Sequence, residues 1–101
     1  MNRKYELVII VDALLPQEQK EAISKEVVDS VTKAGGNVIN SKVWLEKQKF
    51  SFRIKKINEG TYYLINFEAE TPVIADLRQK LRLNERVLRF LISQVESLVS
   101  V

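Results

Sequence analysis

The sequence contains no histidine and no cysteine among its 101 residues. The usual general base at neutral pH, the usual thiol nucleophile, the commonest soft metal ligands and any disulfide are therefore excluded. The aspartates and glutamates do not cluster with metal-ligand spacing, and neither a G-x-S-x-G motif nor a glycine-rich phosphate loop is present. We interpret the chain as a non-enzyme without a cofactor, a metal or a small-molecule substrate.

Long apolar runs are also absent. No segment approaches the ~20 residues that span a bilayer, which predicts a protein without a membrane partner. The opening MNRKYELVIIV is too short for a signal peptide, and we interpret it as the first strand. With 46% apolar residues, the chain is predicted to form a single domain over residues 1–101. The absence of cysteine fits a reducing cytoplasm.

Positive charge is concentrated in two segments, although the formal net charge is only +3. Residues 42–56 carry lysines and an arginine against Glu46 alone, and residues 78–89 carry arginines and a lysine against Glu85 alone. Two such segments indicate a polyanionic partner, most often nucleic acid. The alternative is that the lysines simply keep an edge strand soluble.

Residues 37–70 have the pattern of one long β-hairpin. Basic or polar residues alternate with apolar ones from Lys47 to Lys55, as on a strand with one buried face. Asn58-Glu59-Gly60 is predicted to form the turn. Residues 61–69 are rich in aromatic and β-branched residues, which favours a returning strand.

The first strand of this hairpin changes phase. Its inward residues are predicted at odd positions and then at even ones, namely Ile39, Val43 and Leu45, then Phe50, Phe52 and Ile54. One extra residue near Glu46 to Gln48, a β-bulge, would restore a single core face. The outer face would then carry Asn40, Lys42, Trp44, Lys49, Ser51, Arg53 and Lys55. The alternative is two strands separated by a short loop.

The remaining elements alternate between strands and helices. Residues 4–11 are predicted to form a strand, and residues 16–34 form a helix that Gly35 ends. A second helix begins with Thr71 as its cap and Pro72 at its first position. Residues 86–95 are predicted to form the last strand.

The order strand, helix, strand, strand, helix, strand predicts a ferredoxin-like split βαβ fold of the α+β class. This fold is a four-stranded antiparallel sheet with two helices on one face, in which the first and third strands are central. The uncovered face is predicted to show an apolar patch beside Trp44 and Arg89, formed by Val8, Ile10, Tyr62, Leu64 and Leu91. An apolar patch rimmed by cations suggests a partner surface.

Four stretches in register resemble bacterial small-subunit ribosomal protein six over essentially the whole chain. They are Arg3-Lys4-Tyr5-Glu6, Gly35-Gly36-Asn37-Val38, the segment from Trp44 through Lys55-Lys56 and Gly60 to Glu68, and Arg82 to Arg89. The resemblance implies a structural ribosomal protein that binds the central domain of small-subunit rRNA. It also implies a heterodimer with ribosomal protein eighteen. Glu46 stands where family members usually have glycine.

We assign candidate contacts on this basis. Val43 and Trp44 are predicted to contact the protein partner, because an exposed tryptophan on an edge strand is a common anchor. Trp44 facing the core is the alternative. The predicted phosphate contacts, which position RNA rather than read its sequence, are Arg3, Lys4, Lys47, Lys49, Arg53, Lys55, Arg82, Arg86 and Arg89.

Two other functions fit the same topology. A homo-oligomeric regulatory or ligand-binding module would pair sheets through the apolar residues of the uncovered face. An RNA recognition motif would stack bases on aromatics of its central strands. Tyr62 fits that role, but Val8 and Ile10 occupy the first strand, so we disfavour this function.

Overall fold

The computed structural model describes the backbone of residues 3–54 and 57–95. It describes the side chains in those ranges other than those of residues 47, 48, 50–54 and 58. The elements follow the predicted order and are β1 (Arg3–Asp12), α1 (Gln17–Ala34), β2 (Asn37–Ile54), β3 (Ile57–Ala69), α2 (Thr71–Leu83) and β4 (Arg89–Gln94).

The four strands form one antiparallel sheet in the order β2-β3-β1-β4. Leu7 at the centre of β1 lies opposite Ile65 on β3 and Ile92 on β4. The two central strands and the two edges are those expected of the ferredoxin-like fold, which is thereby confirmed.

The core lies between one face of the sheet and the two helices. Alternate residues of β1 and β3 point into it, because successive side chains on a strand take opposite faces. The helices contribute the predicted stripes, which are Ile23, Val27 and Val31 from α1 and Ile74, Leu77 and Leu81 from α2. The other face of the sheet therefore has no helix over it among the described residues.

A glycine pair ends α1 and directs the chain into β2. Gly35 has φ 108°, in the left-handed region. Its N–H donates to the Thr32 carbonyl at 3.1 Å, and the Gly36 N–H donates to the Val31 carbonyl at 2.9 Å, which is a Schellman motif. A Cβ at Gly36 would lie 2.7 Å from Val31 Cγ1, so the second glycine is needed for the close approach of β2 to α1.

The predicted hairpin turn at Asn58-Glu59-Gly60 is wrong. β3 already begins at Ile57, which lies opposite Ile54, and Gly60 is a strand residue paired with Asp12 on one side and Gln48 on the other. Pairing from both sides holds this glycine in the sheet despite its local preference for turns.

Two helix and strand boundaries also differ from prediction. Glu70, and not Thr71, is the N-cap residue of α2, and no side chain makes a capping hydrogen bond there. β4 begins at Arg89 rather than residue 86, because residues 84–88 form a loop. In that loop the Val87 N–H donates to the Asn84 carbonyl at 3.1 Å.

Two features are absent from the described part of the chain. None of the helices is long and apolar enough to cross a membrane. Within the same ranges, no group of three or more aspartate, glutamate, histidine or cysteine side chains could hold a metal ion.

Candidate nucleic-acid and protein interface

The edge strand β2 is longer than the part of β3 that it pairs with. Its register shifts at four places, namely between Val38 and Asn40, Val43 and Leu45, Leu45 and Gln48, and Lys49 and Ile54. The third shift confirms the bulge predicted near Glu46, and the first two place further extra residues at Ile39 and Trp44. Since β2 is continuous from Asn37 to Ile54, the alternative of two strands separated by a loop is wrong.

The bulges change which β2 residues reach the core. Ile39, Val43 and Leu45 are 52%, 39% and 37% exposed, so the prediction that they belong to the core is wrong. Val38 instead packs partly against the core, opposite Phe67. The physical reason is that an edge strand with repeated bulges turns away from the helices. The predicted core residues Phe50, Phe52 and Ile54 have side chains outside the described set.

The two predicted protein contacts lie on opposite faces of β2. Trp44 is 50% exposed and makes an edge-to-face contact with Tyr62, with ring centroids 6.2 Å apart at 75°. The alternative in which Trp44 faces the core is therefore wrong. Val43 lies opposite the buried Tyr63 and so takes the helix side of the sheet. A partner that contacts both must wrap around the edge.

The uncovered face carries the predicted apolar patch. Ile10 lies opposite Tyr62 and Arg89, and Val8 lies opposite Leu64 and Leu91. Leu91 is 62% exposed. Next to this patch, the Asn66 Nδ2 donates to the Asn40 Oδ1 at 2.9 Å, which ties β2 to β3 through side chains.

The predicted phosphate contacts fall into two groups at opposite ends of the sheet. Arg3 and Lys4 lie at the start of β1, where Lys4 is opposite Glu68. The other group surrounds the end of β1 and comprises Lys49, Arg82, Arg86 and Arg89, all exposed. At the rise of a β-strand, about 20 Å separates Lys4 from Ile10, the residue opposite Arg89. The Lys47 and Arg53 side chains and all of Lys55 lie outside the described residues.

Lys49 takes a different face from the predicted one. It lies opposite Glu59 on β3, and Gly60, the next residue, is opposite Asp12. Glu59 and Thr61 are alternate residues of this strand, so they share a face. Directly opposed residues share a face, so Lys49 is on the side of Thr61 and not on the side of Trp44. The several bulges in β2 account for this change.

Arg86 makes an ion pair that the sequence did not reveal. Its Nη2 lies 2.6 Å from Glu26 Oε2, and the Asn84 Nδ2 donates to Glu26 Oε1 at 2.7 Å. The Arg86 backbone N–H donates to Asn84 Oδ1 at 3.0 Å. The hydrogen bond from Arg86, reinforced by that from Asn84, lowers the pKa of Glu26. Arg86 therefore joins the α2–β4 loop to α1. Arg86 and Glu26 are 60 positions apart in the sequence, so no local pattern indicates that they pair.

Replacing Arg86 with glutamine is expected to cost about 0.5–1 kcal/mol of unfolding free energy at pH 7, since both partners are about half exposed. The lowered pKa of Glu26 means that its charged form stabilises the fold above the ordinary pKa of a carboxyl group. That contribution disappears as the pH falls through the pKa of the folded state. Urea unfolding should thus show a difference at pH 7 that shrinks below about pH 4. A constant difference across this range would contradict the ion-pair role.

A shallow cleft separates α1 from β2 on the helix side of Val43. It has a volume of about 310 Å³ and is lined by Glu21, Ser24, Lys25, Val28, Ser41 and Tyr63. Burial raises the pKa of the Tyr63 hydroxyl, and the charges of Glu21 and Glu46 raise it further. Lys25 lines the same cleft, so this flank of β2 carries charges of both signs.

A second cleft, here called the α2–β4 cleft, lies between the C-terminal end of α2 and the start of β4. Its volume is about 230 Å³, and its lining residues are Leu81, Arg82, Val87, Leu88, Arg89 and Phe90. Arg82 lines it from α2 and Arg89 from the start of β4, where Arg89 lies opposite Ile10 on the uncovered face of the sheet.

Comparison with known proteins identifies the family. A family model described as Ribosomal protein S6 matches residues 4–94. The small ribosomal subunit protein bS6 of Campylobacter lari is 39% identical over 95 residues, which cover 94% of this chain and 76% of the relative. The bS6 protein of Clostridium botulinum is 36% identical, with 89% of this chain and 95% of the relative covered.

Other comparisons bear on length and fold. The bS6 protein of Syntrophobacter fumaroxidans is 35% identical, and the chain spans 60% of its length. The crystal structure of 30S ribosomal protein S6 from Thermotoga maritima superposes with a TM-score of 0.84 at 24% identity, covering 94% of this chain and 89% of that one. This likeness concerns the fold alone. The family match and the identities of the relatives show that the chain belongs to the ribosomal protein S6 family of the small ribosomal subunit.

Proposed function

We propose that this protein is a structural constituent of the small ribosomal subunit that binds central-domain small-subunit rRNA together with ribosomal protein eighteen. Family membership indicates its location, in the cytoplasm and within the small subunit. The observation that carries the two-partner proposal is the β2 edge. It exposes Val43 and Trp44 on its two faces, while exposed cations surround the neighbouring end of the sheet.

The cations at the end of β1 support the RNA half of the proposal. Arg82 and Arg89 share the α2–β4 cleft, and Lys49 extends beyond the end of β1 on the other edge strand. Exposed arginines suit phosphate, which they can hold with two hydrogen bonds at once. An RNA that also contacted Arg3 and Lys4 would have to follow the length of the sheet.

The β2 edge supports the protein half. Trp44 is a large apolar side chain packed on Tyr62 and still half exposed, which is typical of an interface anchor. On the other face, Val43 is 39% exposed and adds apolar surface for the same protein partner. The two partners would therefore occupy different parts of the surface.

Binding to a central-domain rRNA fragment is expected to depend strongly on salt. With about 6–10 phosphate contacts shared by the complex, affinity should fall on the order of 10³- to 10⁵-fold between 50 and 200 mM salt. Filter binding with ribosomal protein eighteen present would measure this. In a plot of log affinity against log salt concentration, replacing Arg89 with glutamine should reduce the magnitude of the slope by about one.

The matched control is the same substitution at Arg78, which is exposed on α2 and lines neither of the two clefts described above. It should leave the slope unchanged. A change in affinity of less than tenfold over the salt range would contradict the proposed RNA contacts.

A homo-oligomeric module is the competing function, and the exposure of Leu91 on the uncovered face is the observation that favours it. Sedimentation of the purified chain separates the two functions. We expect a monomer that forms a one-to-one complex with ribosomal protein eighteen. A stable homodimer that ignores this partner would favour the module instead.

A further inference from the structure

The cleft between α1 and β2, here called the α1–β2 cleft, contains a hydrogen-bonding group that the chain itself does not satisfy. Tyr63 lines this cleft and is only 4% exposed. Its hydroxyl oxygen is buried and has no hydrogen-bond partner among the described residues. Buried polar groups are nearly always paired, because leaving one unpaired is costly. The free chain therefore holds a hydroxyl for which a bound molecule can supply the missing partner.

The walls of the α1–β2 cleft both stand on the helix side of the sheet. One wall comes from α1, through residues spaced three and four apart that share a face of the helix, namely Glu21, Ser24, Lys25 and Val28. The other comes from β2, where Ser41 lies opposite the buried Ile65 and Val43 lies opposite Tyr63. Directly opposed residues share a face, so Ser41, Val43 and Tyr63 are all on the helix side.

The rim of the cleft consists of side chains that can move. Glu21, Lys25 and Ser41 are exposed, whereas Ser24 and Tyr63 are buried beneath them. Exposed side chains change rotamer within picoseconds to nanoseconds. An incoming group therefore reaches the Tyr63 hydroxyl by displacing flexible side chains and without moving the backbone.

The charges at the rim indicate what kind of group fits. Glu21 repels an anion and Lys25 repels a cation, so the cleft favours a neutral group. Burial and the charges of Glu21 and Glu46 raise the pKa of the Tyr63 hydroxyl, which keeps it protonated and able to donate. A carboxamide is neutral, accepts through its oxygen and donates through its nitrogen. It can therefore pair with the tyrosine hydroxyl and with the Glu21 carboxylate at once.

The position of the cleft indicates where such a group comes from. Val43 is 39% exposed on the same side of β2 as Ser41, two residues away. Val43 is one of the two residues that we assign to the protein partner, so a polypeptide that covers it also lies beside the α1–β2 cleft. A side chain of that polypeptide is thus the nearest source of a carboxamide.

We propose that the α1–β2 cleft receives an asparagine or glutamine side chain of the protein partner, whose oxygen accepts a hydrogen bond from the Tyr63 hydroxyl. The proposal rests on the proposed binding of ribosomal protein eighteen and adds the class of side chain that is recognised. It makes Tyr63 a residue that contacts the partner, although it is almost fully buried in the free chain.

Replacing Tyr63 with phenylalanine in the full chain tests the proposal, because it removes the hydroxyl and keeps the ring. Isothermal titration calorimetry with ribosomal protein eighteen should show a Kd raised roughly 3- to 10-fold, the effect of losing one neutral hydrogen bond. Urea unfolding of the free variant should show no loss of stability, since the hydroxyl has no partner within the described part of the chain. Combining this variant with alanine at each asparagine and glutamine of ribosomal protein eighteen should identify one position whose effect is not additive.

The matched control is replacement of Thr61 with valine. Thr61 Oγ1 is also buried without a partner among the described residues, but Thr61 does not line the α1–β2 cleft. Valine keeps nearly the same shape, so this variant should keep both the stability of the chain and the Kd for ribosomal protein eighteen.

Four results would overturn the proposal. They are an unchanged Kd for the Tyr63 variant, a loss of stability in that free variant, an equal loss of affinity in the Thr61 variant, and additive effects at every carboxamide of the partner. Trp44→Ala, measured in the same assay, separates this failure from failure of the proposed function. Binding that depends on Trp44 but not on the Tyr63 hydroxyl retains the proposed partner and removes the carboxamide contact, whereas no binding by the unmodified chain overturns both.

Discussion

Replacing Trp44 with alanine is expected to weaken binding to ribosomal protein eighteen by about 2–4 kcal/mol, or roughly 30- to 1,000-fold in Kd. The indole already packs on Tyr62 with its ring edge-to-face, and half of its surface remains for a partner to cover. Truncation would remove this anchor without opening a cavity in the core. Isothermal titration calorimetry of the two purified proteins would measure the loss.

The control for this prediction is replacement of Leu83 with alanine. Leu83 is 77% exposed at the end of α2, so it presents more of its surface than Trp44 but lies away from β2. Its truncation should leave the Kd within about twofold, in keeping with the small effects of exposed positions. Because Trp44 is the single tryptophan of the chain, its fluorescence should also change when the partner binds. Equal losses for the two variants would exclude a specific role for the β2 edge.

Replacing Phe67 with alanine is expected to lower the unfolding free energy by about 3–5 kcal/mol. Phe67 is fully buried, stacks on Tyr5 at 5.5 Å, and lies opposite Val38 at the start of β2. Its removal leaves a cavity where β1, β3 and the entry to β2 meet. For a domain whose total stability is about 5–15 kcal/mol, this loss is large.

Urea unfolding of the variant would test that value. Replacement of Leu91 with alanine is the control in the same sheet, since Leu91 is 62% exposed on the uncovered face. It should change stability by no more than about 0.5 kcal/mol. A loss below 1 kcal/mol for the Phe67 variant would mean that the site collapses around the missing ring.

Much of the fold could be predicted because regular elements have regular patterns. The stripe of Ile23, Val27 and Val31 and the alternation of β1 each correspond to one buried face. The bulge near Glu46 was also predicted, although the apolar residues from which it was inferred, Ile39, Val43 and Leu45, are exposed.

The edge strand shows where this reasoning fails. Ile39 and Leu45 are apolar, and alternation alone cannot distinguish a strand that faces the core from one that presents apolar residues to a partner. Gly60 was assigned to a turn because its pairing with two neighbouring strands leaves no local trace. In both cases tertiary contacts outweigh the local pattern.

The candidate site was predictable in composition but not in geometry. The sequence identified Arg82, Arg86 and Arg89 as one basic segment. It could not show that Arg86 pairs with Glu26 while the other two share a cleft, because these contacts depend on the path of the loop after α2. Charge counting treats such residues as equivalent, whereas the structure gives them different roles.

The register shifts of β2 also determine where the length of the chain can change. At Ile39, for example, Val38 and Asn40 already lie opposite consecutive residues of β3. Deleting the extra residue would make the pairing regular and leave every later side chain on its present face. A deletion between two shifts would instead turn over the side chains that follow it. The edge that we assign to the protein partner can therefore gain or lose residues at these points while the rest of the sheet keeps its register.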